Sequence, residues 1–161
     1  MILRILSLSF LLSVSQLPAA DLWLTDFDAA KKKAASENKP LVLDFTGSDW
    51  CGWCIKLDEE VFATPTFQKY AEKNLILVKL DFPQRKTQSS EEKDQNMKLA
   101  REYGVKGYPT IIVLDSKGDK IGQTGYVRGG PDAFIAELKK NYQEITALEV
   151  VLKLADSSVV L

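Results

Sequence analysis

Two short apolar runs dominate the chain beyond its first twenty residues: Leu41-Val42-Leu43-Asp44-Phe45 and Leu75-Ile76-Leu77-Val78-Lys79-Leu80-Asp81-Phe82. Both are too short for buried helices and rich in residues that suit a pleated surface, so each predicts a buried strand. Helical spacing fills the gaps. Phe27, Ala30 and Ala34 recur on one face of 26–38, with Asp26 or Asp28 as cap. Cys54, Leu57, Val61 and Phe62 mark the inner face of a helix from Cys51 to about Phe62. Thr64-Pro65 starts another helix that runs to about Glu72. Ser89 and Glu92 form a capping box for a helix that stops at Tyr103-Gly104. Thr110–Asp115 and Lys120–Thr124, joined by Ser116-Lys117-Gly118-Asp119, predict a hairpin. Gly129-Gly130-Pro131 opens a last helix with Phe134, Ile135, Leu138, Tyr142 and Ile145 inward; from Ala147 onward the pattern fits either more helix or another strand. Strands alternating with helices favour parallel pairing by right-handed crossovers, with the hairpin adding antiparallel strands. The expected architecture is α/β: a mixed sheet of about four strands with helices on both faces.

The N-terminus follows a different pattern. Arg4 is the only charge among residues 1–20; Ile5 to Val14 is apolar and Leu17-Pro18-Ala19-Ala20 ends in small residues. This predicts a signal peptide over 1–20 and a mature domain over 21–161, exported, and periplasmic if the source is bacterial. The apolar run is too short to span a bilayer comfortably, so no stable membrane insertion is expected after cleavage. At 161 residues, with 45% hydrophobic and 27% charged residues, the chain has the size and balance of one globular domain. A formal charge of −1, falling to −2 without Arg4, lacks the basic excess that a nucleic-acid partner calls for.

The candidate chemistry lies in Trp50-Cys51-Gly52-Trp53-Cys54, which holds both cysteines of a chain without histidine. A structural bridge across four residues would stabilise by only about 2 kcal/mol, against roughly 3–5 for loops of tens of residues. A helix start beyond a strand end supplies free N–H groups that favour a thiolate. Thiol–disulfide exchange is therefore the leading reading, with no cofactor. A Cu(I) carrier using two thiolates, or a groove that holds extended peptides, are the rivals. Structural zinc would lack two ligands.

Leu43-Asp44-Phe45, Trp50-Cys51-Gly52-Trp53-Cys54, Gly107-Tyr108-Pro109-Thr110 and Gly125, in that order, resemble the thioredoxin-like superfamily, and the stretch 44–62 resembles its exported bacterial members. The resemblance implies a thioredoxin-like fold and a protein-disulfide oxidoreductase. Cys51 would be the nucleophile and Cys54 the resolving thiol, with protein thiol or disulfide substrates and a separate electron-donor or acceptor protein. It implies a cis Pro109, Tyr108 offering backbone groups to an extended substrate, and Gly125 leaving room for that substrate. Trp50, Gly52 and Trp53 would share the same face. Asp44 matches the buried carboxylate that takes the proton of the resolving cysteine. Its spacing to Cys51 is, however, one residue longer than in thioredoxin, so two readings stay open: Asp44 as the proton acceptor, or Asp44 displaced or solvated with Asp49 as an exposed substitute. Lys56 reads as a solvated helix residue. Trp53 stands where thioredoxin has proline and more oxidising relatives have histidine; lacking a cation, it points to a less stabilised thiolate and a reducing site.

Overall fold

The computed structural model describes residues 22–142; the expected signal segment and the stretch from residue 143, including Ile145 and everything after Ala147, lie outside them. A five-stranded sheet runs in the order β1-β3-β2-β4-β5, with β1 Trp23–Leu24, β2 Leu41–Thr46, β3 Ile76–Asp81, β4 Thr110–Leu114 and β5 Lys120–Thr124. β1, β3 and β2 are parallel, and β4 and β5 are antiparallel to their neighbours. The mixed sheet matches the expectation and adds β1. Only two residues long, it has no periodicity to read; its pairing of Trp23 with Leu77 makes it a strand.

The alternation along β2 sorts the core into two layers. Leu41, Leu43 and Phe45 face α1 (Phe27–Glu37) and α4 (Ser90–Glu102), joining Ile76, Val78, Leu80, Ile112 and Leu114. Val42 faces the opposite layer with Leu77, Ile111 and Val113, beneath α2 (Gly52–Leu57), α3 (Pro65–Asn74) and α5, the helix over 130–142. Caps agree with the sequence: Asp26, Thr64 and Ser89 each accept a backbone N–H from the first turn that follows. Among the described residues, no helix is long and apolar enough to cross a membrane.

The helix expected to run uninterrupted from Cys51 to Phe62 changes pitch. After α2 comes a π turn over Asp58–Phe62, whose end is marked by Ala63 N–H donating to the Asp58 carbonyl five residues back, at 2.8 Å. Both Val61 and Phe62 are buried there. Packing, rather than helical spacing, decides the point. Phe62 meets three rings, Trp23 at 4.9 Å, Phe67 at 5.0 Å and Phe134 at 5.4 Å between centroids. It thus joins the edge strand to α3 and α5. Phe62→Ala is expected to cost about 3–5 kcal/mol, read as a lower denaturant midpoint at unchanged slope; a loss under 1 kcal/mol would mean that the three rings close over the gap.

Candidate active site

The site begins where β2 ends. Gly47 opens a turn in which its carbonyl accepts from the N–H groups of Trp50 (3.2 Å) and Cys51 (2.9 Å). A side chain at Gly47 would overlap the Trp50 ring, since a Cβ would lie 2.6 Å from Trp50 Cε2. The turn is anchored to the next strand: Ser48 donates from its N–H and its hydroxyl to the Asp81 carboxylate, at 2.9 and 2.6 Å. The Asp49 carboxylate accepts three backbone N–H groups, from Gln84 (3.0 Å), Arg85 (2.7 Å) and Lys86 (3.0 Å). The residue added between Asp44 and Cys51 is thus taken up at the surface.

Cys51 is the N-cap of α2, and its sulfur accepts from Cys54 N–H at 3.2 Å. The two cysteines form a disulfide, with Cα atoms 5.2 Å apart. Both are buried, Cys54 (3% exposed) more deeply than Cys51 (7%). In the reduced state the same N–H is placed to stabilise a Cys51 thiolate.

Asp44 is not displaced. It is 3% exposed, on the face of β2 that α2 covers, and its Oδ1 has no hydrogen-bond partner. Burial pushes its carboxyl up to about 7, against the opposing pull of the Lys79 ammonium, while Asp58 and Asp81 push the same way as burial. Lys79 lies opposite Asp44 in the β2–β3 register and pairs with Asp58 at 3.5 Å. Asp49, the alternative base, is corrected by its geometry. The three N–H bonds, led by Gln84, hold its carboxyl below the usual range and make it a poor proton acceptor; it shapes the loop instead.

The Tyr108–Pro109 peptide bond is cis. Gly125 lies against it, since a Cβ there would be 3.2 Å from the Pro109 carbonyl oxygen. Tyr108 packs edge-on against Trp50 at 5.8 Å and tilts against Phe82 at 5.1 Å. The Trp50 indole N–H donates to the Phe82 carbonyl at 2.8 Å, so Trp50 is fixed although 38% exposed. Gly52 faces open space. Trp53 is 55% exposed and tilts against Tyr126 at 5.1 Å. Lys56 is not simply solvated: its ammonium lies 5.4 Å from the Trp53 ring centroid, 5.5 Å from that of Tyr126 and 3.7 Å from Glu60.

Sequence reasoning missed Tyr126, Lys79, Asp58 and Glu60. Lys79 had left a signal, one charge in the middle of an apolar strand, two positions from Leu77 on the same face. Tyr126 had none beyond its place next to Gly125.

A disulfide at the C-terminal end of a central strand, capping a helix and sharing its surroundings with a cis proline, defines an α/β enzyme of thiol–disulfide exchange. Comparison with known proteins agrees. Residues 27–142 match the family model described as a thioredoxin-like domain. The disulfide bond reductase DsbH of Chlamydia pneumoniae is 34% identical over 121 residues, covering 75% of this chain and 73% of that protein. The thiol:disulfide interchange protein DsbD of Campylobacter jejuni (strain RM1221) is 30% identical over 105 residues, which are 65% of this chain but 17% of that relative. Among solved structures, a DsbH oxidoreductase superposes with a TM-score of 0.72 at 32% identity, over 85% of this chain and 95% of that one. The chain belongs to the thioredoxin-like family. It is a protein-disulfide oxidoreductase.

Proposed function

We propose that the protein is an exported reductase of protein disulfides, with residues 1–20 as signal peptide and 21–161 as the mature domain, periplasmic if the source is bacterial. Cys51, as thiolate, attacks one sulfur of a substrate disulfide. That S–S bond breaks, a mixed disulfide forms, and the second substrate sulfur leaves as a thiolate that takes a proton from water. Cys54 gives its proton to Asp44 and attacks the Cys51 sulfur, expelling the first substrate sulfur as a thiolate that also takes a proton from water, while Asp44 returns its proton to solvent. The substrate gains two electrons and ends with two thiols, and the enzyme ends with the Cys51–Cys54 disulfide. A dithiol on a donor protein returns the two electrons by the reverse exchange. No nucleic acid and no cofactor takes part.

The observation that carries the direction is the Trp53 indole between the cysteines. Where a histidine would place a cation beside Cys51, this chain has an apolar ring, and the nearby Lys56 is matched by Glu60. A less stabilised thiolate makes the dithiol give up its electrons more readily. The relative named as a disulfide bond reductase supports the same direction. Equilibration against glutathione buffers is expected to give a potential below that of protein disulfide isomerase, about −180 mV. A higher potential would overturn the reducing direction and leave the exchange chemistry standing.

A further inference from the structure

Large apolar side chains exposed on the described surface are confined to Trp50, Trp53 and Ile55, all within two residues of a cysteine. Each cysteine is thus preceded by an exposed tryptophan, and each tryptophan meets a tyrosine from another part of the chain. The two pairs differ in kind. Trp50 is fixed by the Phe82 carbonyl and by contact with Gly47 and Tyr108, and forms a wall. Among the described residues the Trp53 indole N–H has no hydrogen-bond partner; its ring tilts against Tyr126 and has the Lys56 ammonium 5.4 Å from its centroid.

Tyr126 is itself held in place. It follows Gly125, which lies against the Pro109 carbonyl, and its hydroxyl donates to the Glu60 carboxylate. Glu60 also pairs with Lys56, whose ammonium lies near both rings. The Lys56 ammonium beside the Trp53 ring is thus matched by Glu60, Arg128 adds a positive charge near Tyr126, and the Trp53 ring itself stays 55% exposed next to the disulfide. Such a surface suits an apolar side chain, and it is continuous with the cysteines that exchange bonds with the substrate.

We infer that Tyr126 is a specificity-determining residue, setting Trp53 as a shelf for an apolar side chain next to the disulfide of an extended substrate segment. This rests on the reading of the site as one that exchanges disulfides with other proteins. The probes are two synthetic peptides with one intramolecular disulfide each, differing only in leucine or serine beside the attacked cysteine, together with hydroxyethyl disulfide. The mature wild-type protein is expected to favour the leucine peptide about tenfold in kcat/KM, through KM rather than kcat, as one aromatic contact allows. Tyr126→Ala is expected to bring that preference close to unity. Trp53→Ser, at a half-exposed position with little bearing on folding, should do the same. Tyr126→Phe keeps the ring and should retain most of the preference. Equal kcat/KM for the two peptides in the wild type, or an undiminished preference in both Tyr126→Ala and Trp53→Ser, would overturn the inference. So would a Tyr126→Phe variant as unselective as Tyr126→Ala, since the hydroxyl and not the ring would then carry the effect. If wild-type protein turns over neither peptide nor hydroxyethyl disulfide, the exchange reading falls and the shelf with it; turnover without preference defeats the shelf alone.

Discussion

Cys54→Ser is expected to halt the enzyme at its covalent intermediate, with a substrate protein joined to Cys51 by a disulfide that nothing in the active site resolves. Serine is close in size to cysteine, so the α2 packing around this buried position is largely kept, but its hydroxyl is not a nucleophile toward sulfur at neutral pH. Turnover should fall by orders of magnitude. A higher-mass species should appear on non-reducing gels and vanish with dithiothreitol, and mass spectrometry of that species would identify the captured proteins. Cys51→Ser should lose turnover as well and trap nothing. The asymmetry follows from the site: Cys51 is the less buried of the two, caps the helix, and receives the Cys54 N–H on its sulfur. Trapping by Cys51→Ser instead would reverse the two roles. Trapping by neither would remove covalent exchange from the mechanism.

Asp44→Asn separates two properties of one carboxyl, and both effects are large. The folded carboxyl titrates at about 7 against a reference value of 3.8. The native state therefore holds a proton that the unfolded chain has already released, so the benefit is complete below the reference value. It is lost as pH rises from about 4 to about 7, a difference of about 4 kcal/mol over the interval. Asparagine cannot ionise. The variant should be more stable than wild type at pH 8 by roughly 2–4 kcal/mol, with the gain gone near pH 4, as measured by denaturant unfolding at both values. Function should move the other way. If Asp44 accepts the Cys54 proton, resolution of the mixed disulfide in the wild type accelerates as pH rises through about 7, and the variant loses that limb together with about a hundredfold in rate near pH 8. A variant that keeps both the limb and the rate would take Asp44 out of proton transfer and leave it a structural liability.

Much of the fold could be read from the sequence because its strands and caps are local signals. Leu41–Phe45 and Ile76–Leu80 are apolar runs of strand length, and Thr64 and Ser89 are plain helix-start signals, while the choice between Asp26 and Asp28 as first cap fell to Asp26. The features that escaped are those made by contacts distant in sequence. β1 exists through its pairing with β3, and the π turn at Asp58–Phe62 through the rings that Phe62 meets. The site divides in the same way. The cysteine pair and Pro109 carry distinctive local motifs. Whether Asp44 stays buried depended on where an added residue would be absorbed, and that was decided by Asp81 and by the backbone at 84–86, more than thirty residues away. Tyr126 gains its significance only because the strand-end turn brings it beside Trp53.

Asp44 and Asp49 lie five residues apart and are shifted in opposite directions, one upward by burial and one downward by the N–H groups it accepts. In mildly acidic medium the first is therefore protonated while the second still carries its charge and holds its loop. On the proposed role of Asp44, the enzyme there keeps the shape of this loop but is slow to let go of a partner it has captured. Acidity then acts as a timer on the bond between enzyme and client, lengthening each covalent encounter without dismantling the surface on which it takes place.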